Sequence, residues 1–398
     1  MGGVACEFPK KSRSRLDFDR TLTGGRQNPW RREPTGRLTM PHRHIRSTSP
    51  GAQPSRRAVL TLLGAAPLAA GTMLAASGSA QAGTDSARPG APEALLPGGE
   101  FDRYLARLAA QDEFSGTVVL RQRKRTLLRR SHGFANLRCS IPNEPDTVFC
   151  TASITKLFTQ AAIAQLIEQD KVASDGTVGT YLDGFPPEIA DVVTVEQLLT
   201  HTSGIGRPAN QMVEIPGSDE WDGLDEILAG TLDYIRGLPL NFPPGSQYEY
   251  SNDGYTVLGG IVDQVCEELS YHDYIRQHVF RPFGMTNSDF YTAAQWGDIR
   301  RRLARPHAQD GTGQWVDIGD VSNSYLGTPA GGAFADAQDL VRFVEKTFDD
   351  TERHVHGGAP GLSTDLIWFT ESSVLAVILS NYDHAAQPVV TKLQELVK

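Results

Sequence analysis

Cysteine is scarce in this chain, with 4 residues in 398, and only Cys139, Cys150 and Cys266 lie beyond residue 82. An odd set of three is too small for a disulfide scaffold, although one pair could form outside the cytoplasm. Cys150 stands just before Ser153, but no pattern places a histidine beside it, so buried packing is the expected role of its thiol. The Ala- and Leu-rich stretch after Val59 lacks continuity: Gly64, Pro67 and Gly71 interrupt it, which argues against a stable membrane anchor. Net positive charge is also missing. The whole chain carries −9, and residues 1–82 hold 13 Lys or Arg against 4 Asp or Glu, so removing their +9 would leave about −18. Such a surface repels phosphates, and no nucleic acid is expected as a partner.

Those first residues read as a leader. Ser55-Arg56-Arg57-Ala58-Val59-Leu60 opens the apolar stretch, and Ala80-Gln81-Ala82 offers a small-residue cleavage site. Together they predict a twin-arginine signal over 1–82 and an exported protein, extracellular or in the cell envelope. Met40 would give such a signal a more usual length, so translation from Met40 is the expectation. No cysteine directly follows the cleavage site, which leaves no residue for a lipid anchor. The Pro- and Gly-rich residues 83–100 read as a linker, and 101–398 as the folded domain.

Within 101–398, Phe101, Tyr104, Leu105 and Leu108 recur at helical spacing. Thr117-Val118-Val119-Leu120 and Thr126-Leu127-Leu128 predict two strands joined at Arg123-Lys124-Arg125. Six of the ten residues from 121 to 130 are basic, which suits either contact with an anionic polymer or a sheet edge protected by charge; the second is the simpler account. From Thr151 to about Phe290 the pattern is mainly helical. The continuous apolar run Ser373–Leu379 predicts a strand covered on both faces, and Val389–Lys398 a closing helix.

Three short segments carry chemistry. In Ser153-Ile154-Thr155-Lys156, residues three apart share a helix face, so the lysine amine can take the serine proton if burial lowers its pKa. By itself the spacing also fits a surface helix that carries both residues by chance. Tyr250-Ser251-Asn252 follows the turn Pro243-Pro244-Gly245-Ser246 and precedes a helical pattern. There Tyr250 can relay a proton and Asn252 can bind a carbonyl and orient Lys156, or Asn252 or Asp253 can simply cap the helix. In His356-Gly357-Gly358-Ala359, two glycines let a ligand approach a strand closely, and the amides of Ala359 and Ser153 could pair as oxyanion donors; a glycine-rich turn is the alternative.

In this order, these segments resemble the serine β-lactamase-like and penicillin-binding family, which includes D-peptidases and esterases. The resemblance extends through Phe149–Lys156, Leu198-Leu199-Thr200-His201-Thr202-Ser203-Gly204, Pro282-Phe283-Gly284-Met285-Thr286 and Pro329-Ala330-Gly331-Gly332. It implies an α/β (α+β) fold whose antiparallel sheet is built from N- and C-terminal segments, flanked by helices, with a mainly helical insertion at about 151–290. It also implies a serine hydrolase, exported if the leader reading holds, that cleaves an ester or amide: a D-amino-acid peptide, a short-chain ester or a β-lactam, cell-wall-derived substrates among them. Carried over residue by residue, Ser153 is the acylated nucleophile, Lys156 and Tyr250 transfer protons, and Asn252, His356, Gly357 and Gly358 contact substrate. The amides of Ser153 and Ala359 form the oxyanion hole, and no cofactor is implied.

Several residues qualify that picture. His356 stands where many relatives carry lysine, and an unperturbed histidine is mostly neutral near pH 7, which tilts the expectation towards an esterase or D-amino-acid peptidase. The His354-x-His356 pair lacks a third ligand, so no metal is expected. His201 reads as part of a helix end and not as a base. The interval from Gly332 to His356 is short for the family and predicts an unpaired sheet edge and a loosened Ala359 donor. A non-catalytic penicillin- or peptidoglycan-binding or structural protein of the same fold is the alternative function.

Overall fold

The computed structural model describes residues 92–207, 215–297, 303–319, 325–348 and 351–397. The expected leader, and the expected linker up to residue 91, lie outside the described residues. Packed structure begins before residue 100, because the short turn Glu93–Leu95 buries Leu95 completely against the first helix.

That helix, α1 (Glu100–Ala110), buries Phe101, Leu105 and Leu108 on one face, as their spacing requires. It covers a five-stranded antiparallel sheet made of β1 (Gly116–Gln122), β2 (Arg125–His132), β3 (Arg353–Ala359), β4 (Leu362–Phe369) and β5 (Val374–Ser380), in spatial order β3-β4-β5-β1-β2. β5 is buried along its whole length. Val374, Ala376 and Ile378 join the core under α1 and the closing helix Ala386–Val397, while Leu375, Val377 and Leu379 join the larger core on the other side. Alternating side chains of one strand thus serve two cores, which explains an apolar run without polar interruption.

The larger core holds helix α2 (Thr155–Glu168), buried on every side from Thr155 to Leu166, and helix α3 (Asn252–Val265), buried from Asp253 to Val262. A Cβ on Gly259 of α3 would lie 2.1 Å from Pro329 Cγ, so glycine there is what lets the Pro329-Ala330 loop lie against the helix. Strand β2 forms one sheet edge and carries the basic cluster; its turn places Arg123 and Lys124 at φ 46° and 68°. Strand β3 forms the other edge. No further strand pairs with its outer side among the described residues, and the turn that carries Ser153 packs against one face of β3 and β4.

Candidate active site

Ser153 sits in the single 3-10 turn Ala152–Ile154 at the mouth of α2, after Ala152 at the left-handed φ of 45°. Such a backbone is strained for a residue with a side chain and persists only where its surroundings hold it. Thr151 supplies that hold: its N–H and its hydroxyl both donate to the Ala333 carbonyl, at 2.8 and 2.9 Å. Ser153 stays partly exposed among buried neighbours.

Helical spacing brings Lys156 back to the serine, with Nζ 3.2 Å from Ser153 Oγ. The amine also donates to Asn252 Oδ1 at 2.8 Å and to the Ala330 carbonyl at 2.6 Å. Burial pushes the lysine pKa down from its ordinary value, against a smaller upward pull from Tyr250. The Tyr250 hydroxyl lies 2.6 Å from Ser153 Oγ. Ser153, Lys156, Tyr250 and Asn252 are therefore one hydrogen-bonded group.

The cap of α3 is neither Asn252 nor Asp253. Ser251 Oγ accepts the Gly254 N–H at 2.8 Å, and this leaves the Asn252 side chain for Lys156. Ala330 belongs to a segment noticed in the sequence, but a backbone carbonyl has no residue signature that would mark it as a lysine partner. His201 does end a helix, Val195–Leu199, and it also contacts the Tyr250 segment directly. Cys150 is fully buried, and desolvation pushes its thiol up to about 12, which removes it as a nucleophile.

Strand β3 meets the serine at Gly357. A Cβ there would lie 2.8 Å from the Thr151 carbonyl oxygen and 3.1 Å from Ser153 N, so only glycine permits this approach. The direction of each strand N–H follows from the ladder. Asn381 N–H donates to the opposed Ser115 carbonyl at 3.2 Å, one step beyond the pair Gly116↔Ser380. Hydrogen-bonded and non-bonded pairs alternate in antiparallel sheets. Through Ser363↔Ser380 and Gly357↔Thr364, the backbone groups of Ser380 face β4, and those of Gly357 and Ala359 face back into the sheet. The two-residue turn Pro360-Gly361 closing Ala359↔Leu362 demands the same parity. The expected oxyanion donor Ala359 is thereby corrected: its N–H points to Leu362, and the outward N–H belongs to Gly358, next to the glycine that touches Ser153.

The same alternation corrects His356. Gly357 faces Ser153, so the side chains of His354 and His356 leave on the opposite face of β3, where both bond to Oδ1 of the fully buried Asp365, at 2.6 and 3.1 Å. The Asp365 hydrogen bond raises the pKa of His356 against the opposing effect of burial, so this imidazole is more basic than a free one. Asp365 Oδ2 is buried without a partner. The acid that the His-x-His pair lacked in sequence thus comes from the neighbouring strand, yet no group of three or more His, Cys, Asp or Glu able to hold a metal occurs among the described residues.

Comparison with known proteins places this arrangement. Residues 101–365 match the family model described as Beta-lactamase, and the chain belongs to that family. It is 34% identical over 178 residues to the putative penicillin-binding protein PbpX of Bacillus subtilis, covering 45% of this chain and 42% of that one. It is 32% identical over 242 residues to esterase EstB of Burkholderia gladioli, covering 58% of each. The chain thus spans about half the length of the curated relatives it matches. The crystal structure of a penicillin-binding protein from Bacillus halodurans superposes with a TM-score of 0.62 at 26% identity, over 73% of this chain and 98% of that one.

Proposed function

We propose that the protein is an exported serine hydrolase that cleaves an ester or amide through an acyl-enzyme on Ser153. The observation that carries this reading is the hydrogen bonding of Lys156. The Asn252 amide oxygen and the Ala330 carbonyl can only accept, so they claim two N–H bonds and leave the third tetrahedral direction of Nζ to Ser153 Oγ. Burial favours the neutral amine, whose lone pair then points at the serine proton.

As Ser153 Oγ attacks the carbonyl carbon, its proton passes to Lys156. Tyr250, 2.6 Å from Oγ, gives its own proton to the leaving group and is reprotonated from Lys156. The developing oxyanion is held by the amides of Ser153 and Gly358. Water then releases the acyl group and restores Ser153.

The strand supports one substrate class over another. Val355, Gly357 and Ala359 form the face of β3 turned towards Ser153, and the imidazole of His356 is bound to Asp365 on the other face. This strand offers no cation beside the nucleophile to anchor a carboxylate. Uncharged esters and D-amino-acid amides therefore fit better than β-lactams, and a relative named as an esterase supports that class. The export part of the proposal rests on Ser55-Arg56-Arg57 and Ala80-Gln81-Ala82 and is tested by cell fractionation.

The decisive assay compares aryl-ester turnover by residues 83–398 with that of the Ser153→Ala variant. Turnover lost only in the variant is expected. Equal activity in both would refute the acyl-enzyme, and no turnover by either folded protein would favour the non-catalytic binding or structural alternative.

A further inference from the structure

We infer that His201 is a positioning residue that holds Tyr250 against Ser153 by gripping the chain on both sides of it. The inference rests on the proton-transfer role proposed for Tyr250. The carbonyl of His201 accepts the Glu249 N–H at 2.9 Å, and its ring Nδ1 accepts the Ser251 N–H at 3.1 Å. One residue thus fixes the backbone immediately before and immediately after Tyr250. Its ring also lies against the Tyr250 ring, with centroids 4.6 Å apart and planes 31° apart, and against Tyr255 at 5.1 Å.

This double grip depends on an unusual backbone. His201 has φ of 59°, a left-handed conformation that turns its carbonyl and its side chain towards the same segment at the end of Val195–Leu199. It depends equally on protonation. Only a ring with an unprotonated Nδ1 can accept from Ser251, and the imidazolium would set two donors against each other. Burial, with a smaller contribution whenever Lys156 is protonated, pushes the imidazole down to about 3, so it remains an acceptor near neutral pH. His201 is 5% exposed and packed against Tyr250, while the hydrogen-bond partners of Ser153 Oγ are Tyr250 and Lys156, so His201 acts on the serine through Tyr250.

The test measures kcat and KM for an aryl ester in the full chain with His201→Ala, His201→Asn, Tyr250→Phe and the double variant His201→Ala/Tyr250→Phe. Because a displacement of about 1 Å costs up to about a hundredfold in rate, His201→Ala should lower kcat about 10- to 100-fold while KM changes less than about threefold. Asparagine brings an acceptor oxygen close to the position of Nδ1 and tolerates positive φ, so His201→Asn should keep kcat within about fivefold of wild type. In the double variant the loss should be no larger than in Tyr250→Phe alone, since no phenol remains to be misplaced.

Wild-type kcat in His201→Ala, or losses that multiply in the double variant, would overturn the positioning role while leaving the hydrolase mechanism standing. Wild-type kcat in Tyr250→Phe would remove both the role of Tyr250 and the need to position it. Should the alanine variant not fold, His201→Phe keeps a stacking ring without the acceptor: a loss of about tenfold or more supports the grip, and unchanged activity refutes it.

Discussion

The Ala330 carbonyl is the closest of the three partners of Lys156 Nζ, at 2.6 Å, and it lies 174 residues away in the chain. It is buried, it can only accept, and it therefore directs the lysine without sharing its proton. If the neutral amine is the base, a side chain that cannot deprotonate must fail at the same place. Lys156→Arg is expected to lower kcat/KM by about 10²- to 10⁴-fold at every pH tested, because guanidinium stays charged. Wild-type activity in that variant at alkaline pH would exclude Lys156 as the base.

The ladder assigns the outward amide of β3 to Gly358, so deleting that N–H and no other should disable the oxyanion site. Gly358→Pro, at an open strand edge where no ladder bond is lost, is expected to reduce kcat by about 10²- to 10³-fold with an unchanged circular dichroism spectrum. Ala359→Pro should instead unfold the end of the hairpin, because it removes a bond to Leu362. The reverse pattern would return the donor to Ala359.

At Gly357 the constraint is steric. A methyl group there meets Thr364 Oγ1 at 2.5 Å as well as the Thr151 carbonyl at 2.8 Å, and neither neighbour is free to move. Gly357→Ala should cost about 1–3 kcal/mol in a urea titration and push the strand off the serine turn, with a fall in kcat. A fully stable and fully active variant would show that β3 does not lie this close.

Acid stability has a sign that His201 fixes. Burial lowers its pKa from 6.5 to about 3, so between those values the unfolded chain binds a proton that the folded protein does not. Its contribution is present in full above the unfolded value and is lost as pH falls towards the folded one, at a slope of up to about 1.4 kcal/mol per pH unit. Urea midpoints at neutral and mildly acidic pH should fall further in wild type than in His201→Asn. Equal losses would mean that His201 is not held neutral.

His356 shifts in the opposite direction. The Asp365 hydrogen bond raises its pKa, so the bond is strongest below the unfolded value and fades as pH rises through the folded one. An NMR titration should find the His356 midpoint above that of a free histidine, and Asp365→Asn should bring it back down. A midpoint unaffected by Asp365→Asn would show that the carboxylate does not govern this ring.

Local patterns carried much of the fold. The spacing of Phe101, Leu105 and Leu108 marked α1, and β5 was visible as an apolar run because both of its faces are buried. The basic stretch at 121–130 pointed to a strand edge, and β2 lies at one. The hydrogen-bonded group was equally visible, since Ser153 and Lys156 lie three apart where a 3-10 turn runs into α2, and Tyr250 and Asn252 two apart at the entrance of α3.

The sequence by itself determined which groups can react: a serine and a lysine within one helical turn, a phenol and an amide together, and glycines where a strand must come close. Tertiary structure alone decided what those groups face. Whether Gly358 or Ala359 presents a free N–H depends on ladder parity, and a one-residue slip in register reverses every backbone group along the strand. Asp365 reaches His356, and Ala330 reaches Lys156, only through pairing and packing between distant segments. Such contacts leave no periodicity in the sequence, because they are set by which segments meet and not by the order of residues within either one.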